Sequence, residues 1–319
     1  MKEIGGYIEL DTYHLPMPHE GAIALNCGRN ALAYLLKARK IRQLYIPKFI
    51  CDSVTGVCER EGVPYTLYGI GLDFRPSEEI QLADGEWLYF VNYYSQFDNN
   101  QIAEYVQKYD RVIVDNAQSY FQPPLSHVDT LYTCRKYFGV ADGAFLYTDA
   151  VLEEFPQDES FDRMRFLLGR FERTASEFYG EYAANNELFA AEPIKRMSKL
   201  TRNLLHGVDY ARVEKIRQEN YAYLHRALGG VNELKLAGRP GTFMYPLMVK
   251  NGAEIRKRLQ AEKIYIPTLW PDVFEVCRED DAEYHMAKNI LPLPIDQRYG
   301  VGEMDTVVQA LLHMCNQVN

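Results

Sequence analysis

Four residues in one short stretch of this 319-residue chain have the types and spacing for carbonyl–amine chemistry: Asp115, Gln118, Thr133 and Lys136. Asp115 closes the apolar run RVIVD and Gln118 follows it by three positions. Thr133-Cys134-Arg135-Lys136 then leads into Gly139 and Asp142-Gly143. A lysine amine becomes a nucleophile and base when burial lowers its pKa. A carboxylate facing a pyridine nitrogen keeps the ring protonated, so that the ring accepts electron density from a substrate carbanion. An amide beside the ring's phenolic oxygen fixes the geometry through a hydrogen bond. Acid, amide and lysine in this order are the parts that hold pyridoxal 5'-phosphate (PLP) on Lys136. Each also has a plainer reading: Asp115 as a helix N-cap or turn former, and Lys136 as a surface lysine. The Tyr137, Phe138 and Gly139 that follow give Lys136 the apolar surroundings in which a lysine is retained for chemistry.

A phosphate needs an anion site. Cys27-Gly28-Arg29-Asn30 opens the first clear helical pattern, where free N–H groups and the helix dipole favour negative charge. Gly28 permits close approach, Arg29 and Asn30 are candidates for a side-chain contact, and Thr133 is a further candidate ligand. A plain helix start with a surface arginine fits the same residues. A group covering the ring is expected from PKFICD, where Phe49 and Cys51 are the candidates and Phe49 fits a core position equally well.

Positioning these groups requires an open sheet whose strands end at the site. From residue 28 the patterns alternate accordingly, predicting helices over 28–40, 52–62 and 99–109 and strands over 43–47, 87–93, 111–115, 130–134 and 143–148. This is an α/β architecture with a mostly parallel sheet flanked by helices. Beyond residue 150 the stretches 158–185 and 208–228 read as charged helices. Arg163, Arg165, Arg170 and Arg173 suit a solvated or dimer-facing surface better than they suit a diphosphate. A third region opens at Gly238-Arg239-Pro240-Gly241, with strands at FMYPLMV and IYIPTLWP, a helix at EIRKRLQAEK and a last helix over 303–315. The expected division is a large domain over 1–235 and a small C-terminal α/β domain over 236–319.

Composition bounds the class. With 47% hydrophobic and 25% charged residues the chain has globular character. Its net charge of -9 argues against nucleic acid as a partner. The six cysteines show no CxxC spacing and the N-terminus lacks a signal-like apolar stretch, so a reduced, cytoplasmic protein is expected. No apolar run approaches the roughly 18 residues of a membrane span.

GRNAL, YIPKFICDSV, VNYYSQFDNNQIAEYVQKYDRVIVDNAQS, TCRKYFGVADGAFLYT, YPLMV…LWP and LPLPIDQRYG together resemble the DegT/DnrJ/StrS family of fold-type-I PLP enzymes, mostly nucleotide-sugar aminotransferases. The resemblance runs from about residue 5 to the C-terminus, and the 111–148 block is its specific part. It implies that Lys136 is the cofactor lysine, Asp115 the pyridine-nitrogen carboxylate and Gln118 the amide on the phenolic oxygen. It further implies that Gly28, Arg29 and Thr133 bind phosphate. A ping-pong amino transfer from an amino acid such as glutamate to a keto sugar follows, in surface-polysaccharide or secondary-metabolite biosynthesis. So does a homodimer whose partner lends a residue, for which Asn203 is the candidate here. The chain departs from the family where Ser-Gly-Thr becomes Cys27-Gly28-Arg29, where Cys51 replaces the usual stacking aromatic, and where Val140-Ala141-Asp142-Gly143 replaces Gly-Glu-Gly-Gly. These departures keep a non-catalytic PLP-fold protein as the alternative. A nucleotide-binding oxidoreductase is disfavoured by the lack of GxGxxG after the first strand.

Overall fold

A computed structural model of the chain describes residues 4–237 and 241–318. The segments RVIVD and WLYFV are apolar on both faces of a strand, which requires helices above and below them. They become β5 (Val112–Asp115) and β4 (Glu86–Val91), neighbours in the middle of a seven-stranded sheet. The other strands are β1 (Ile23–Leu25), β2 (Gln43–Pro47), β3 (Tyr65–Tyr68), β6 (Asp129–Thr133) and β7 (Ala144–Tyr147), in the order β1-β7-β6-β5-β4-β2-β3. Strands β2 to β6 run parallel, whereas β7 is antiparallel to both β6 and β1. The helices α1 (Gly28–Ala38), α2 (Asp52–Glu61) and α3 (Asn99–Tyr109) lie between successive strands. At the start of α3 a capping box, with Asp98 and Gln101 each bonding the other's backbone N–H, fixes where the helix begins.

Register places the site. Val91 pairs with Asp115, Asp115 with Leu131, Thr133 with Ala144, and Ala144 with Leu25. The ends of β4, β5 and β6 and the chain entering α1 therefore share one edge of the sheet. The turn into β7 uses Gly143 at φ +117°, and a Cβ there would lie 3.1 Å from the Thr201 side chain and 3.2 Å from Cys134. A side chain is excluded on both conformational and steric grounds.

Several elements differ from expectation. The strand predicted over 87–93 stops at Val91, because Tyr94 and Ser95 turn the chain at φ 49° and 56°. The 158–185 stretch is broken: α4 (Arg165–Glu172) and α5 (Tyr179–Ala191) are separate helices flanked by two short turns of tighter helix. Only Phe166 in α4, and Asn185 and Phe189 in α5, are buried, so no continuous apolar stripe holds a single helix together. Helices α6 (Lys199–Leu205) and α7 (Tyr210–Leu228) follow.

Next come β8 (Met244–Met248), α8 (Gly252–Ala261), α9 (Val273–Val276), α10 (Ala282–Asn289), β9 (Ile290–Pro294) and α11 (Val301–Val318). IYIPTLWP forms no strand: Pro267 and Pro271 lack N–H donors, and the segment sends Ile266 into one core and Trp270 into another. The antiparallel partner of β8 is β9 instead, whose Pro292 and Pro294 are tolerated because a two-stranded ribbon leaves each strand a free edge.

One core fills the seven-stranded sheet around Leu88, Phe90 and Ile113. A second packs α7, α8 and α11 around the ribbon, through Leu224, Leu259, Leu293 and Leu311. Helix α7 also gives Tyr210 and Val213 to a third cluster beside Tyr137. The cores do not part at 235/236: Leu224 and Leu228 of α7 pack with the ribbon, and Met248 and Ile290 of the ribbon pack with the large sheet. The boundary residues Gly238, Arg239 and Pro240 lie outside the described residues. Among the described residues no helix is long and apolar enough to cross a membrane.

Candidate active site

Asp115 ends the central strand and is buried. Its Oδ1 accepts from the Ala117 N–H at 2.7 Å, and its Oδ2 from the Tyr89 hydroxyl at 2.8 Å, donated across from β4. Burial pushes its carboxyl up from the ordinary carboxylate range, while the Lys136 ammonium and these two hydrogen bonds pull it back. A buried carboxylate so held needs a cation in front of it, and a protonated pyridine nitrogen meets that need.

Lys136 leaves β6 after a turn in which the amides of Tyr137 and Phe138 both donate to the Cys134 carbonyl at 2.9 Å. Its Nζ lies 5.5 Å from the centre of the Phe243 ring and acts electrostatically on Asp115. The side chain is exposed in the single chain, not desolvated as the sequence led us to expect. Phe243 in turn is tied to the acid's own loop, its N–H donating to the Gln118 carbonyl at 3.2 Å. Gln118 is buried, and its Oε1 accepts from the Tyr94 N–H at 2.7 Å, so its Nε2 is the end left to donate. Asp115 and Lys136 thus come together, and Gln118 follows Asp115 on the loop that Phe243 binds.

At the neighbouring strand ends, a Cβ built on Gly28 would stand 4.0 Å from the Thr133 Cβ, which sets Thr133 opposite the start of α1. The helix begins without a side-chain cap. The Asn30 amide acts on the Cys27 thiol, and the amides of Gly28 and Arg29 remain for an anion. The flanking side chains behave differently from expectation. Asn30 is a structural residue: its Nδ2 donates to Asn26 Oδ1 and the Pro193 carbonyl, and its Oδ1 accepts from Arg60. Arg29 reaches away to the Asn186 carbonyl on α5, at 3.3 Å.

Phe49 is closed off from a ring-covering role. It is buried between Trp270 and Tyr93, with ring centres 4.3 and 5.6 Å away. Cys51 is half-buried, 2.6 Å from Ser53 Oγ, and acts electrostatically on Tyr89 and Tyr93, which keeps it on the Asp115 side of the cleft. Asn203 is engaged within its own chain, accepting from the Tyr13 N–H and donating to the Asp11 carbonyl. It lines a cleft of about 400 Å³ with Lys199, Arg202 and His206, a cleft that none of the groups around Lys136 enters.

Sequence reasoning missed Tyr89, Phe243 and Arg135. The first is one apolar-strand residue among several, and the second lies more than a hundred positions from Lys136. Arg135 had a local signal: it stands in the turn that leaves β6, between Thr133 and Lys136. Its Nε is buried without a hydrogen-bond partner, and Cys27 and Arg29 of the helix start act on it electrostatically. An orphaned guanidinium beside open helix amides, with an acid and a lysine at the next strand ends, fits a phosphate-bearing pyridine aldehyde.

No family model matches this chain, and no curated protein matches it. Solved structures do. The sugar aminotransferase CalS13 from Micromonospora echinospora is 16% identical, with a TM-score of 0.64 over 91% of this chain and 86% of that one. A DegT DnrJ EryC1 StrS aminotransferase from Brucella abortus is 15% identical, with a TM-score of 0.58 over 92% and 86%. NtdA from Bacillus subtilis, with bound cofactor PMP, is 14% identical, with a TM-score of 0.65 over 92% and 72%. The chain has the fold of these proteins, the type I fold of PLP-dependent transferases.

Proposed function

We propose that this chain is a PLP-dependent aminotransferase that passes an amino group from an amino acid to a keto sugar. The observation that carries the reading is the meeting of Asp115, held by Tyr89 and Ala117, with Lys136 at the carboxyl ends of β5 and β6. When bound, PLP supplies an electron sink for charge developing at the donor's α-carbon. Asp115 would keep the ring nitrogen protonated, and Gln118 Nε2 would be the donor for the ring oxygen. Lys136 Nζ would hold the aldehyde carbon, and its free amine would carry the α-proton as general base and then acid. Gly28 and Thr133 sit at the phosphate end.

The sugar class is carried over from neighbours named as sugar aminotransferases. A nucleotide-linked keto sugar, glutamate as donor, a role in surface-polysaccharide or secondary-metabolite biosynthesis and a cytoplasmic setting complete the reading. We also take the working form to be a homodimer. Phe171, 91% exposed on α4, and Tyr179, 67% exposed on α5, are large apolar side chains that a second copy would cover.

Purified protein titrated with PLP is expected to gain a visible absorption band, and a suitable amino donor to remove it while releasing the matching keto acid. A band that no donor across a panel of amino acids alters would leave a binding protein and sink the transferase reading.

A further inference from the structure

We propose that Arg135 is the principal cationic ligand of a phosphate-monoester site, clamping the anion against the first amides of α1 and Thr133. Taking PLP as the occupant rests on the functional reading above; the anion site itself rests on geometry.

Three guanidinium groups, of Arg29, Arg60 and Arg135, act on the Cys27 thiol at the mouth of α1. Arg60 is satisfied by Glu61, Asn30 Oδ1 and the carbonyls of Ala190 and Glu192. Arg29 has the Asn186 carbonyl. Among the described residues nothing accepts a hydrogen bond from Arg135 and no carboxylate pairs with it, and its Nε is buried. A charged group left this way is costly unless an anion completes it.

The local side chains do not supply that anion. Burial pushes the Cys27 thiol up to about 11, so at neutral pH it is uncharged. Asp142 is within electrostatic range, yet its oxygens are held by the Ser198 N–H, the Ser198 hydroxyl and the Thr201 hydroxyl, where they cap the start of α6. Arg135 also rests against the buried Phe189 ring, 5.0 Å from its centre. Such packing uses the face of the guanidinium and leaves its N–H edge for in-plane oxygens, the arrangement that suits phosphate. The substitution of Arg29 for a hydroxyl residue at the helix start is thus offset by Arg135, two positions after Thr133.

The test compares full-length protein with Arg135→Gln and Arg135→Lys, using inorganic phosphate, PLP and pyridoxal, which lacks the phosphate. Phosphate is expected to raise the melting temperature of the parent protein and to leave that of Arg135→Gln unmoved. PLP should bind Arg135→Gln roughly 10- to 100-fold more weakly, the effect of losing a charge-assisted hydrogen bond. Pyridoxal should bind both alike, and Arg135→Lys should recover part of the loss. Should Arg135→Gln not fold, Arg135→Lys and the phosphate response of the parent protein decide. A parent protein indifferent to phosphate, an Arg135→Gln variant that responds to it normally, or equal losses of PLP and pyridoxal would each overturn the proposal. If phosphate acts through Arg135 while neither PLP nor pyridoxal binds, the anion site stands and the aminotransferase reading fails.

Discussion

Asp115 is buried behind two hydrogen bonds, while Lys136, the group that acts with it, stays exposed. In the proposed reaction this asymmetry is useful: the acid is preorganised and the lysine is free to move between anchoring and proton transfer. Their placement was readable because each depends on where a strand ends, a local property. The fates of Arg29, Asn30 and Phe49 were not, because Asn186, Pro193, Arg60 and Trp270 arrive from distant parts of the chain. Another residue outside the chemistry makes a sharp pH prediction. His19 is wedged among Tyr120, Tyr132, Phe145 and Tyr147, its Nε2 bonded to the Tyr120 carbonyl at 2.8 Å. Burial lowers its pKa to about 4 from an ordinary 6.5. A depressed folded-state value means the contribution is fully present above pH 6.5 and is lost as pH falls through about 4. Urea unfolding should therefore show the native protein losing about 3 kcal/mol more than His19→Gln between pH 7 and pH 4. Parallel losses in the two proteins would refute a buried neutral imidazole.

Helices and strands with a single, strong period were legible almost to the residue: α1, α2, α3, β2 and α7 begin and end within about two positions of their expected bounds. Failures follow one physical cause, that an element's state is decided by what pairs with it. IYIPTLWP has strand-like composition and no partner strand, whereas ILPLP, rich in proline, has β8. The antiparallel insertion of β7 was equally invisible, although it is what brings Thr133, at the end of β6, beside Gly28. The phosphate end of the proposed site is thus a product of topology, and its ring end a product of strand termination.

At the scale of the whole molecule, an acidic chain of 36.9 kDa shares its fold with aminotransferases at 11–16% identity over nearly its full length. The dimer belongs to this scale too. Sedimentation velocity should give a species of twice the chain mass, and Phe171→Glu should shift it toward single chains; a native protein that sediments as a single chain at micromolar concentration would exclude the dimer. The account turns most directly on which atom holds the cofactor. Borohydride reduction of the PLP-treated protein, followed by proteolysis and mass spectrometry, is expected to find the pyridoxyl group on Lys136 alone. A group fixed to another lysine, or no fixed group at all, would contradict it.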